Sequence, residues 1–246
     1  MTETTIEHPF DGGAQIEESA QLEERSQPDW GLRATACELL ALSFRYPGPQ
    51  LPQIVASGEW LAAALEVGQL MALDLPEDFG QGLDTMDEVS DQELLHALRK
   101  EATRLFVGAP KPAISPYEGV WRAADDGVNA LLFVNPHSMD VERFCKACGL
   151  GRPEGTNEPL DHVATELELL EYLASIQAGI GLPVASAPAE EKLPGGSIEG
   201  AFGQFMTDHV MTWMPRFAQA VADQATQPFY RAAGQLLKAF LDTFAV

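Results

Sequence analysis

Apolar residues recur at helical spacing along most of this chain, and from Trp30 onward the pattern predicts one helix after another. Trp30, Ala34, Cys37, Ala41 and Phe44 fall at alternating steps of four and three before Tyr46-Pro47-Gly48-Pro49 halts them, as expected of a buried first helix. A second helix is expected over Glu59 to Leu73, closed by the polar, glycine-containing stretch up to Val89. Ser90 with Glu93 reads as a capping box ahead of the stripe Leu94, Leu98, Ala102, Leu105 and Phe106, which Gly108 and Pro110 break. The run "VNALLFV" after the loop "VGAPKPAISPYEGVWR" fits strand or helix by pattern. Helix is expected, because nothing nearby offers it a strand partner. Ser138 is placed as the cap of a short helix carrying Val141, Phe144, Cys145 and Cys148, with Gly149 just past its end.

The stretch "TNEPLDHVATELELLEYL" then opens a strongly apolar helix. Pro159 suits the first helical position, which makes Glu158 the N-cap and Asp161 a third-position acid near the positive end of the helix dipole. "GLPVASAPAEEKLPGGSIEG" reads as a Pro-, Gly- and Ala-rich linker, mobile over about 181–197. Beyond it lie a helix with Phe202, Phe205, Met206, His209 and Trp213, a start or kink at Pro215, and a last helix with Phe229, Ala233, Leu236, Leu237, Phe240 and Phe244. No alternating strand pattern competes. The expected class is all-α: a single helical-bundle-like domain of about ten helices over 29–246, preceded by an acidic, disordered tail over 1–28 with few apolar anchors.

Composition narrows the function classes. The chain has 246 residues, 46% of them hydrophobic, enough for one substantial core. Thirty-seven acids against 15 bases give a net charge of −22, which repels nucleic acid and anionic membrane and favours cationic partners. No run approaches the roughly 18 apolar residues of a membrane span, and the first 30 residues have no apolar signal-peptide core. A cytoplasmic protein is expected. Cys37, Cys145 and Cys148 are too few and odd in number for a disulfide framework.

The candidate chemistry lies at the start of the quoted helix. At 100° per residue, His162 and Glu166 fall about 40° apart on the apolar side, so both point inward. An inward His and Glu need partners or a polar ligand, and a satisfied core pair meets that need as well as a site does. As a metal site they supply two ligands with no second pair nearby. No nucleophile motif or phosphate loop accompanies them for general acid–base catalysis. Cys145 and Cys148, at i and i+3, share a face with Val141 and Phe144, where small buried hydrophobes belong.

Taken together, "EPLDHVATELELL", "LRKEATRLFVG" followed by "SPYEGVW", "FMTDHVMTWMPRF" and "PFYRAAGQLLKAFL" resemble the TorD/DmsD/NarJ family of molybdoenzyme maturation chaperones, over Trp30 to Phe244. The first matches that family's E-P-x-D-H signature. Ser115 stands where a Pro is usual and Gly119 where a Ser is usual. The resemblance implies a non-enzymatic, all-helical chaperone without a cofactor of its own. It would bind the twin-arginine leader and apo form of a molybdopterin-dependent oxidoreductase, proofreading its export until the molybdenum cofactor is inserted. The residues it points to are Tyr117, Glu118, Val120, Trp121, Glu158, Pro159, Asp161 and His162, to which the helical geometry adds Glu166.

A leader is an arginine pair followed by an apolar stretch, so the expected receptor is an acidic protein with an apolar groove. Tyr117, Trp121, Phe106 and Trp213 are the expected rim, and Glu158, Asp161 and Glu166 the carboxylates facing a guanidinium. The competing readings are a helical metal-binding protein or small hydrolase using Asp161, His162 and Glu166, and a purely structural adaptor. Long linkers would permit helix exchange into a homodimer.

Overall fold

The computed structural model describes residues 28–129, 135–151, 159–181 and 192–245. Helix α1 (Trp30–Phe44) begins where the Asp29 side chain accepts the Leu32 N–H at 2.9 Å. It is followed by α2 (Leu51–Ala56) and α3 (Glu59–Leu70). The last of these ends before the expected Leu73, because Ala72 turns left-handed (φ 52°) and the Leu73 N–H reaches back to Gly68 O at 2.8 Å. That is the glycine-type helix stop made with an alanine. Helix α4 (Asp91–Ala102) has the predicted capping box at Ser90 and Glu93 and runs into a π turn, Thr103–Val107. Leu94, Leu98, Ala102, Leu105 and Phe106 are buried as expected.

Helices α5 (Glu118–Asp125), α6 (Pro136–Ala147) and α7 (Val163–Gln177) carry the signature segments, and α8 (Ile198–Phe205) joins α9 (Met211–Gln224) through a second π turn, Met206–Val210. Pro215 sits inside α9, and α10 (Pro228–Asp242) closes the chain's helices. The most extensive packing is α1 along α7 and α9 along α10, with α8 against α7 and α10 against α1. Phe44, Phe106, Phe217 and Tyr230 join these pairs through ring contacts of 5.3 to 6.2 Å. The protein is all-α: among the described residues there is no strand, only an isolated antiparallel bridge between Tyr117 and His162.

Several local expectations change. Ser138 does not cap α6; Asn135 does, accepting the His137 N–H at 2.9 Å, with Pro136 in the first turn. Residues 130–134 of the "VNALLFV" run, the tail 1–27 and linker residues 182–191 lie outside the described residues. The last linker residues are folded rather than free, with Leu193 5% exposed ahead of a 3-10 turn at Pro194–Gly196. No helix among the described residues is long and apolar enough to cross a membrane.

Candidate functional site

The signature is built by a short pairing that brings the Tyr117 loop onto the residues before α7. The Glu118 N–H donates to Asp161 O at 2.9 Å, and the Val163 N–H to Pro116 O at 2.8 Å. This holds Asp161 and His162 outside the helix, so α7 starts at Val163 with His162, not Glu158, as its N-cap. Glu158 itself lies outside the described residues. The His162 Nδ1 accepts the Ala164 N–H at 3.2 Å, and its ring meets the Tyr117 ring edge-on at 5.2 Å. Burial lowers its pKa to about 4. The ring is therefore neutral at pH 7, with Nδ1 an acceptor and the proton on Nε2.

Asp161 is 1% exposed and joins three segments. Its Oδ2 accepts from the Gly119 N–H at 2.9 Å and the Ser138 hydroxyl at 2.6 Å, while Asn135 Nδ2 donates to Gly119 O at 2.6 Å. Burial pushes the Asp161 carboxyl above its usual range, and these hydrogen bonds hold it back. Gly119 could be no larger here: a Cβ would meet the Ser138 hydroxyl and lie 2.9 Å from Asp161 Oδ2. The hydroxyl that Asp161 accepts therefore comes from α6, by way of Ser138.

Behind this lies a second buried layer. The Glu118 carboxylate contacts Arg122 Nη1 at 3.2 Å and His209 Nδ1 at 3.0 Å, and Glu166 Oε2 accepts from the Trp213 indole N–H at 3.1 Å. Glu118, Glu166 and Trp213 are each 0% exposed. Burial, then the charges of Glu118 and Asp161, raise the Glu166 carboxyl well above its ordinary value, which favours its neutral form. The expectation that Asp161 and Glu166 face an incoming guanidinium is therefore not what the fold presents. Both are internal, and Trp213 belongs to the core rather than the rim. Sequence reasoning places His209 on a helical stripe but gives no sign that its partner is Glu118, 91 residues away.

What opens to solvent is a groove of about 530 Å³ beside this network. Phe106, Tyr117, Leu160 and Tyr172 make much of its apolar lining, together with Pro159 and His162, and Arg45, Tyr46 and Glu168 line it where α1 ends. Tyr46 and Val107, at its lip, are each 56% exposed. The His162 Nε2–H has no acceptor among the described residues. Val120 and Trp121 stand apart from this lining: Trp121 donates to Ser115 O at 2.8 Å and carries the Arg216 guanidinium 5.4 Å above its ring. Arg45, Tyr46, Glu168 and Tyr172 are not readable from the sequence as site residues, since nothing local marks the end of α1 as facing the outer side of α7.

A larger depression of about 780 Å³ runs over α4 and the two residues before α10, with a lining that includes Glu93, His96, Arg99 and Lys100 and no Phe, Tyr or Trp. Burial raises the Cys145 and Cys148 thiols to about 12 and about 11, too high for nucleophilic use at neutral pH. Among the described residues no group of three or more His, Cys, Asp and Glu is placed to hold a metal ion.

The family model described as nitrate reductase delta subunit matches residues 72–219. The chain is 30% identical over 164 residues to the chaperone protein TorD of Photobacterium profundum, covering 67% of this chain and 68% of that protein. It is 26% identical over 161 residues to the chaperone protein TorD of a Vibrio cholerae strain, covering 65% and 66%. It spans about two thirds of the length of these relatives. A solved structure from Archaeoglobus fulgidus, described as a putative redox enzyme maturation protein, aligns over 85% of this chain and 93% of its own at a TM-score of 0.47 and 18% identity.

Proposed function

Because the chain belongs to the family of the nitrate reductase delta subunit and the TorD chaperones, we propose that it binds the twin-arginine leader of a molybdenum-cofactor oxidoreductase. In this reading it is a cytoplasmic chaperone that holds the apo-enzyme back from export until the cofactor is inserted, and it performs no catalysis of its own. The observation that carries the reading is the groove between the Tyr117 loop and α7: mainly apolar and aromatic, with the exposed Tyr46 and Val107 in its lining, and built on the signature residues Pro159 and His162. An apolar leader segment gains by burying its side chains there, and His162, which lines the groove, has an Nε2–H left to donate to one of its carbonyls.

The buried carboxylates take a different part. Glu118, Asp161 and Glu166 hold the Tyr117 loop, α6, α7 and α9 in register, so the groove wall is preformed. A hydrolase or metal site using Asp161, His162 and Glu166 is not favoured, since the first and last are sealed from solvent and each already has one oxygen engaged.

Calorimetry with synthetic leaders is the direct test. An Arg-Arg leader should bind tightly, and Tyr117→Ala or His162→Ala should weaken it in protein that circular dichroism shows to be folded. Binding unaffected by both variants would place the leader elsewhere, and turnover of a model ester lost with His162→Ala would revive the hydrolase.

A further inference from the structure

The groove is not uniform in charge. Where α1 ends, Arg45 reaches across to α7 and its Nε donates to Glu168 Oε1 at 2.6 Å. This pair forms a common wall between the apolar groove and a second cavity of about 350 Å³ lying between α1, α3 and α7. The second cavity has an apolar floor, with Leu39, Leu42 and Trp60, and an acidic lining of Glu38, Glu59, Glu168 and Glu171 against one lining cation, Arg45.

We propose that the two cavities form one docking groove of fixed polarity: the arginine pair of a leader lies over Glu38, Glu168 and Glu171, and its apolar run continues past Arg45 along Tyr46, Phe106, Tyr117 and Tyr172. This rests on the leader-binding reading above and adds an orientation and a charge subsite to it. A leader carries its cationic pair directly before its apolar run, and the acidic chamber and the apolar groove adjoin directly at the Arg45–Glu168 wall. Four carboxylates facing one guanidinium leave the chamber under-neutralised. The imbalance is felt at Glu171, whose carboxyl is raised by burial and then by Glu38 and Glu168, with Arg45 opposing. Arg45 already seats a guanidinium on Glu168, and that position is open to exchange: its side chain is 58% exposed, and an ion pair so placed adds little to stability.

The experiment is a calorimetric cycle with two leaders, Arg-Arg and the same peptide with Gln-Gln in place of the pair, against wild type and the double variant Glu38→Gln with Glu171→Gln. These substitutions leave the Arg45–Glu168 pair intact, and circular dichroism checks the fold. Wild type should prefer the Arg-Arg leader by about tenfold or more, the scale of one charge-assisted hydrogen bond. The double variant should lose that preference while binding the Gln-Gln leader as wild type does, and Tyr117→Ala should weaken both leaders alike. Arg45→Gln should strengthen the Arg-Arg leader selectively by clearing Glu168. A wild type that binds both leaders equally, or a double variant that keeps the preference, overturns the charge subsite while leaving leader binding in place. A wild type that binds neither overturns the leader reading itself.

Discussion

At the scale of single residues, Gly119 and Ser138 divide one small buried space beside Asp161. Gly119 leaves no room for a side chain, and Ser138 delivers from α6 the hydroxyl that Asp161 accepts at 2.6 Å. Gly119→Ser alone should therefore destabilise by about 1 to 3 kcal/mol through overpacking. Ser138→Ala alone should cost about the same, because it withdraws a donor from a buried carboxylate. The pair together should be more stable than the sum of the two predicts, since the hydroxyl introduced at position 119 enters the space the old one vacates. Urea unfolding of the four proteins measures this; strict additivity would show that the two positions do not share one site.

Glu166 yields a second residue-scale prediction. Its folded pKa is raised above the ordinary glutamate value, so its contribution to stability is fully present below that ordinary value and is lost as pH climbs toward the raised one. Glu166→Gln removes the titration and keeps an acceptor for the Trp213 indole. The melting temperature of the variant relative to wild type should rise as pH climbs above the ordinary glutamate value of about 4.3. A constant difference would mean the carboxyl is ionised in the fold.

At the scale of elements, most helices are legible in the sequence because each writes its own signals locally. The capping box at Ser90, the stripe to Phe106 and the alternating steps from Trp30 need no distant information, and all three hold. The start of α7 does not, for an identifiable reason. Glu158-Pro159 has the form of an N-cap and first position, but the Tyr117 loop claims Asp161 and His162 as extended partners through Glu118 N–H and Pro116 O. A pairing between residues about 45 apart leaves no mark in local propensity. The same kind of distance hides Arg45 and Tyr46 from the groove, although Tyr117, Pro159 and His162, neighbours by motif, do line it together. Asn135 escapes notice as the α6 cap because Ser138, three residues on, is an equally good capping residue.

The shifted cap makes its own prediction. His162→Ala should cost about 0.5 to 2 kcal/mol by removing the N-cap acceptor, while His162→Asn should restore most of it. Since burial depresses the imidazole to about 4, the stability it contributes is present above its unfolded value of about 6.5 and is lost as pH falls toward 4. Wild type should therefore lose stability across that window faster than His162→Asn. Parallel acid limbs in the two proteins would show that the ring stays solvated.

At the scale of the whole molecule, the net charge of −22 acts on encounter rather than on the bound state. A cationic peptide feels the summed field only within a few Debye lengths, and these shrink to about 8 Å at physiological ionic strength. The apolar lining of the groove, by contrast, is indifferent to salt at this concentration. Raising salt from low to physiological strength should thus slow association of an Arg-Arg leader clearly and change its dissociation much less. Residues 1–27 offer a way to separate the general field from the groove, because they carry seven acids and one arginine and precede every groove residue in the sequence. Deleting them takes the net charge from −22 to −16 and keeps Asp29, the cap of α1. The truncated protein should associate more slowly at low salt and converge on the full chain as salt rises. Its melting temperature should change little, because the segment has few apolar residues with which to dock. Stopped-flow fluorescence of a labelled leader reads both rates. An association rate independent of salt in both proteins would leave the charge without a part in capture, and a fall of several degrees in melting temperature would show that Ile16 or Leu22 packs against the helices.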